Sequence, residues 1–189
     1  MSAELQELAQ SLHVNERTLR RAWALGTVRG ERVTPYKLRV PVDERVYLRR
    51  HWSTISRLRS ALRTEPNVSL AVLFGSIARG DDDEESDVDL LVGFREPELG
   101  KGAKLAGRLS KHIDVQLDVI PLERALRRAS FMVEILRDGR VLVDRDGRWS
   151  ELSAQGPSFE AQAREHRRIV AKRAQQAVEM FARKAEASR

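Results

Sequence analysis

Two short apolar runs, "SLAVLFGS" at residues 69–76 and "DVDLLVGF" at residues 87–94, constrain this chain more than any other feature. Each has the length and character of a strand. Seven acidic side chains fall between Asp81 and Asp89, so a densely charged segment is clamped between apolar ones. Within the second run Asp87 and Asp89 are separated by one residue, which puts both side chains on one face of a strand. Val88, Leu90 and Val92 lean to the other face, toward a core. Two carboxylates held side by side repel unless a cation sits between them, and hard cations such as Mg²⁺ take such oxygen ligands together with substrate phosphates. Gly75 and Ser76 follow the first run, where backbone amides can approach phosphate oxygens and the hydroxyl adds a donor. A phosphate-binding turn beside a carboxylate pair suggests phosphoryl-type transfer from a nucleoside triphosphate.

A third carboxylate would complete a two-metal site. In "HIDVQLDVIPL", Ile113, Val115, Leu117 and Val119 alternate with Asp114, Gln116 and Asp118, so Asp114 and Asp118 are both candidates. The remaining acids, Asp81, Asp82, Asp83, Glu84 and Glu85, read as a solvated loop, and Ser86 as a turn residue. No glycine lies between Asp81 and Asp89, which argues against a calcium loop of the EF-hand type. Arg79 can contact a triphosphate or pair with the acidic loop.

"GSIARG" followed by "SDVDLLV" resembles the minimal nucleotidyltransferases of the DNA polymerase β superfamily, over about residues 67–145. Their motif is G-S-x-A-R-G, a short polar loop, then S-D-x-D-L. The resemblance implies two Mg²⁺ ions on Asp87 and Asp89 and triphosphate binding by Gly75 and Ser76. The family's third acid sits in a strand just before a helix, which "LDVIPLERAL" matches, so the resemblance selects Asp118 to hold the catalytic metal and help deprotonate the acceptor. It implies transfer of a nucleoside monophosphate, often AMP from ATP, onto a hydroxyl with release of pyrophosphate. Small prokaryotic members often act as antitoxins that adenylylate a HEPN-type toxin, and others modify small molecules.

Beyond this region the charge is uneven. The net charge of +6 has basic ends flanking an acidic middle, and basic ends meet nucleic acid or acidic partners. Near the start, Leu5, Leu8, Ala9 and Leu12 share a helical face. A second short helix is predicted from Asn15 as N-cap to Gly26 as C′ residue, with Leu19, Ala22 and Trp23 as its apolar stripe. "TVRGERVTPYKLRVP" alternates around Gly30 and again around Pro35, as a hairpin or wing would. The stretch "LAQSLHVNERTLRRAWALGTVRGER" resembles the helix-turn-helix of MerR-like and excisionase-like proteins. That resemblance implies DNA contacts by Arg17, Arg20 and Arg21 on the recognition helix and by Arg29 and Arg32 on the wing, and pairing of two copies as a homodimer. The alternative is a helical extension that packs on the catalytic domain.

A longer helix follows with Val46, Leu48, Ile55, Leu58 and Leu62 as anchors, ended by Pro66. "ERALRRASFMVEILRDG" predicts one helix closed by Gly139, and "RVLVDRDG" a short edge strand. After a loop at "SAQGP", residues 158–187 predict a basic amphipathic helix. It carries Phe159, Ile169, Val170, Ala177, Val178 and Phe181 at helical spacing, and Arg164, Arg167, Arg168, Lys172, Arg173, Arg183 and Lys184 as its charges.

The expected architecture is therefore an α/β nucleotidyltransferase fold on a short mixed sheet flanked by helices. The expected units are a winged helix-turn-helix module (1–42), a linker helix (43–66), the transferase domain (67–150) and a C-terminal basic helix (151–189). The chain has no cysteine, no signal-like N-terminus and no apolar run of bilayer length, so a cytoplasmic location is expected. The rival readings are a DNA-binding regulator whose transferase-like domain senses nucleotide without catalysis, and a protein that neutralises a toxin by binding alone.

Overall fold

In the computed structural model the described residues are 3–34, 37–96, 100–113 and 115–187, with side chains described as far as residue 178. The predicted Phe181, Arg183 and Lys184 positions, Pro35 and the candidate Asp114 therefore lie outside the described residues or side chains.

The N-terminal elements form where spacing and caps require. α1 (Ala3–Ser11) buries Leu5, Leu8 and Ala9. The chain then turns through His13 at φ 54. α2 (Glu16–Leu25) begins at Asn15, whose side chain accepts from the Thr18 amide at 2.8 Å, and ends at Gly26 in the left-handed region at φ 89. β1 (Glu31–Thr34) and β2 (Lys37–Arg39) pair antiparallel just beyond Gly30. α3 (Val42–Arg63) runs along the body and stops before Pro66. Its buried face passes through Glu44, Tyr47, Leu48, His51, Ile55, Leu58 and Leu62. Val46 lies off that face and is 60% exposed, so it is not the anchor expected of it.

A four-stranded mixed sheet holds the rest. β3 (Val68–Phe74) leads through the five-residue α4 (Gly75–Arg79) and the acidic loop to β4 (Val88–Phe94). α5 (Lys101–Leu109) is the crossover to β5 (Leu117–Pro121), which lies parallel to β4. α6 (Leu122–Ala125) and α7 (Ala129–Asp138) follow, then β6 (Arg140–Asp144), α8 (Arg148–Ala154) and α9 (Gly156–Ala187). The strand order is β5-β4-β3-β6, and both β4 and β6 run antiparallel to β3.

Both faces of the sheet are covered. Ala71, Leu73, Val88, Leu90 and Val92 join a core with Leu5, Leu8, Leu19, Leu48, Ile55 and Leu105, so the N-terminal helices and the sheet share one apolar cluster. Leu70, Val72, Phe74 and Leu91 face the second core, with Met132, Ile135, Leu152 and Phe159. Two buried faces explain why β3 and β4 read as nearly continuous apolar runs.

Several local expectations change. The strand expected across "HIDVQLDVIPL" starts only at Leu117, and Val115 is 37% exposed. The single helix expected after it breaks between Ala125 and Ala129, with Arg128 extended at φ −128, ψ 93. Gly139 closes the second of these helices, α7, as expected, with φ −64 and ψ 146. The "SAQGP" loop is almost wholly helical, because Pro157 falls in the first turn of α9, where a missing amide donor costs nothing. Along α9, Phe159 and Ala163 are buried, whereas Ile169, Val170 and Val178 are exposed at 41%, 50% and 68%. Among the side chains described along α9, the buried ones lie in its first turns. No helix of the described residues is long and apolar enough to cross a membrane.

Candidate active site

The three acids singled out by spacing and resemblance lie at or beside the β4–β5 pairing. Asp89 stands directly opposite Asp118 in the parallel β4–β5 register. Side chains paired this way share a face at the inter-strand spacing of about 4.8 Å. Asp87 immediately precedes β4, two residues before Asp89, and its charge acts on the Asp89 carboxylate. Asp87 and Asp89 are half-buried and Asp118 is exposed. Partial burial, then the Asp118 carboxylate, then Asp87, hold Asp89 above the ordinary carboxylate range, with Arg79 acting in the opposite sense. Three acids crowd one another here with little local compensation.

Gly75 completes this corner. It begins α4 at φ +75, and a Cβ at this position would lie 2.1 Å from Asp89 Oδ2. Only glycine meets both the left-handed backbone and the approach of the carboxylate. Phe74 pairs with Asp89 in the β3–β4 register, so the strand pairing itself brings the Gly75–Ser76 turn beside the acids. Ser76 is half-buried next to it.

The donor set suits Mg²⁺. Its members are hard carboxylate oxygens on adjacent strands, mutually repelling and beside a phosphate-sized turn. Among the described residues no group of three or more acidic or histidine side chains is gathered closely enough to hold a metal ion as folded.

The acidic loop divides differently from the expectation. Asp81 pairs with Arg79 at 3.0 Å on the surface, so the guanidinium reaches the loop rather than standing free. Asp83 accepts from Ser86 Oγ at 2.8 Å and from the Glu85 amide at 3.1 Å, which closes a tight turn. Glu84 and Glu85 are exposed, as expected. Asp82 is a correction: its side chain is only 10% exposed, accepts from Arg50 Nη2 at 3.0 Å and faces His51 Nε2 at 3.3 Å. It fastens the loop to α3.

Beyond Asp118 lies an open cleft of about 600 Å³, lined by Lys101, Gly102, Ala106, Leu117, Asp118 and Arg124. Gly102 lets the start of α5 approach β5, since a Cβ there would lie 2.8 Å from the Val119 carbonyl oxygen. Sequence reading did not find this cleft, because no motif marks Lys101 or Arg124.

The candidate nucleic-acid residues are dispersed. Arg17 and Arg21 are exposed on α2, whereas Arg20 pairs with Glu16 at 3.4 Å. Arg32 lies over the Trp23 ring at 5.1 Å. Arg29 turns toward the catalytic half, donating from Nη2 to the Asp138 carbonyl at 2.8 Å.

The family model described as "Polymerase beta, Nucleotidyltransferase" matches residues 56–148. The Methanocaldococcus jannaschii protein named "Putative protein adenylyltransferase MJ0141" is 41% identical over 68 residues, which are 34% of this chain and 68% of the relative. The chain belongs to this nucleotidyltransferase family. It is an enzyme of that class, with a transferase fold built around the β3–α4–β4 corner. One chain of a crystal structure of a toxin–antitoxin with AMP-PNP superposes with a TM-score of 0.54 at 20% identity, covering 64% of this nucleotidyltransferase and 98% of that chain. A structure of tri-AMPylated Shewanella oneidensis HEPN toxin in complex with MNT antitoxin gives 0.52 at 17% identity, covering 66% and 98%. At such identities the likeness is one of fold. Residues 1–55 and 149–189 lie outside the family match.

Proposed function

We propose that this nucleotidyltransferase is Mg²⁺-dependent and transfers AMP from ATP to a hydroxyl on a protein partner. The observation that carries the reading is the register pairing of Asp89 with Asp118, with Gly75 held against the Asp89 carboxylate. Gly75 and Ser76 bind and orient the triphosphate through backbone amides and the Ser76 hydroxyl. Asp87, Asp89 and Asp118 are the residues that would hold Mg²⁺, which when bound neutralises charge developing on the phosphates. Asp118, beside the open cleft, takes the acceptor proton. The acceptor oxygen bonds to the α-phosphorus, the bond from that phosphorus to the bridging oxygen breaks, and pyrophosphate leaves. Arg79, whose charge already acts on Asp89, can leave its surface pair with Asp81 to contact the triphosphate.

A HEPN-type toxin is the acceptor this reading favours. The relative in M. jannaschii bears the name of a protein adenylyltransferase, and fold neighbours include MNT antitoxin–HEPN toxin complexes. The N-terminal module adds DNA binding in this reading, through the exposed Arg17 and Arg21 of α2 and Arg32 of the hairpin, with two copies acting as a homodimer. Labelled ATP, Mg²⁺ and a HEPN-type protein provide the test. Label transferred to the HEPN protein by wild type and lost with Asp89→Ala supports the proposal. Absence of transfer to any protein, with no pyrophosphate released, would sink it. For the DNA arm, a gel shift unaffected by Arg17→Ala/Arg21→Ala would refute the α2 assignment.

A further inference from the structure

One buried guanidinium joins three parts of the chain. Arg140, the first residue of β6, is 1% exposed. Its Nη1 and Nη2 donate to the two Glu44 carboxylate oxygens at 2.6 and 2.8 Å, and its Nε donates to the Ala78 carbonyl at 2.8 Å. Nη1 also donates to the Thr27 carbonyl at 3.2 Å, and the Tyr47 ring lies 3.5 Å from the guanidinium carbon. A buried ion pair by itself adds little over an apolar pair of similar volume. What this one does provide is a set of directed bonds to two backbone carbonyls, which no apolar substitute reproduces.

Those carbonyls are well placed. Ala78 lies in α4, the short helix that opens with Gly75 and Ser76. Five residues are too few to hold a helix without tertiary support. α3 supports it from behind: Glu44 through Arg140, Tyr47 against Gly80, and His51 with Arg50 on Asp82. Thr27 belongs to the N-terminal segment, which is stitched to β6 and α3. Its Oγ1 donates to the Val141 carbonyl, the Val141 amide donates to the Gly26 carbonyl at 3.2 Å, and the Arg29 amide donates to Glu44 at 3.0 Å.

We infer that Arg140 is a positioning residue for the nucleotide site: it fixes the Gly75–Ser76 turn through the Ala78 carbonyl and ties that turn to the N-terminal module through Thr27. The inference rests on the nucleotide site proposed above. Because the turn and the module share one set of bonds, ordering the turn with ATP stabilises the module's attachment, and the reverse holds by linkage.

Two variants test it. Arg140→Lys keeps the charge opposite Glu44 but has no planar fork to span two carbonyls. Glu44→Met/Arg140→Met removes both charges and keeps an apolar, folded core, which its melting temperature checks. In both, ATP affinity measured with Mg²⁺ is expected to fall about tenfold while AMP affinity moves less than about twofold, the worth of one charge-assisted hydrogen bond to the turn that holds the outer phosphates. In wild type, ATP slows hydrogen exchange at the amides of residues 26–30, and both variants lose that protection. ATP affinity unchanged in both variants, or no ATP-dependent protection in wild type that binds ATP, overturns the inference alone. A wild-type chain that binds no ATP overturns it together with the nucleotide-site reading.

Discussion

Two carboxylates tied to α4, Glu44 through Arg140 and Asp89 against Gly75, live in opposite electrostatic worlds. Glu44 is 3% exposed, yet both its oxygens are met by Arg140 and one also by the Arg29 amide. Asp89 is less buried, but its named neighbours include two further carboxylates. The first site is complete without a ligand and holds the architecture together. The second gathers like charges with Arg79 alone opposing them, which is the feature the proposed function builds on. Burial therefore does not distinguish function from structure here; compensation does.

Substitutions can break this contrast. The largest expected effect is on catalysis: Asp89→Ala should lower transfer by about ten-thousandfold, about 5 kcal/mol of barrier. Its melting temperature should hold or rise, because a repelling charge has gone. Glu44→Ala should do the reverse, costing about 3–5 kcal/mol of folding stability by leaving the Arg140 charge buried and unpaired. Chemical denaturation of the two variants side by side reads the contrast directly, and a marked loss of stability in Asp89→Ala would erase it.

Gly75→Ala sits between the two extremes. It places a side chain where the Asp89 carboxylate lies and forces a left-handed backbone on alanine. A stability loss of about 1–3 kcal/mol is expected, with loss of ATP binding seen by calorimetry. A pH scan sharpens the picture at the loop anchor. Burial holds His51 below its ordinary range, with Arg50 and Arg140 adding to the effect and Asp82 opposing it. The unfolded chain thus takes up this proton at higher pH than the folded one. The contribution is intact above about pH 6.5 and is lost as pH falls through the lowered folded value. The melting temperature of wild type should therefore fall more steeply than that of His51→Gln on acidification below pH 6.5. The smallest effect belongs to Arg79→Ala. Its surface pair with Asp81 is expected to contribute no more than about 0.5 kcal/mol to stability. A clear rise in the KM for ATP with unchanged stability would place Arg79 on the phosphates.

Local patterns proved legible where the physics is local. The caps at Asn15 and Gly26 and the strands at 68–74 and 88–94 follow from backbone geometry and period-two alternation. Other features needed neighbours that sequence does not display. Val46 lost its place because α3 presents a face set by the polar Glu44 and His51, both buried through partners distant in the chain. Asp82 looked like its acidic neighbours until α3 supplied Arg50 and His51. The break at Arg128 came from packing two short helices against the sheet, which a helical composition does not announce.

By itself, the sequence determined the acids' spacing, the glycine–serine turn and the apolar runs that oblige both faces of a sheet to be covered, because those properties depend on residues a few positions apart. Only the tertiary structure decided that Asp118 stands opposite Asp89, that Gly75 is pressed against a carboxylate, and that Arg140 joins the N-terminal segment to the phosphate turn. Strand register and buried charge pairing depend on contacts between residues far apart in the chain, and folding alone brings those together.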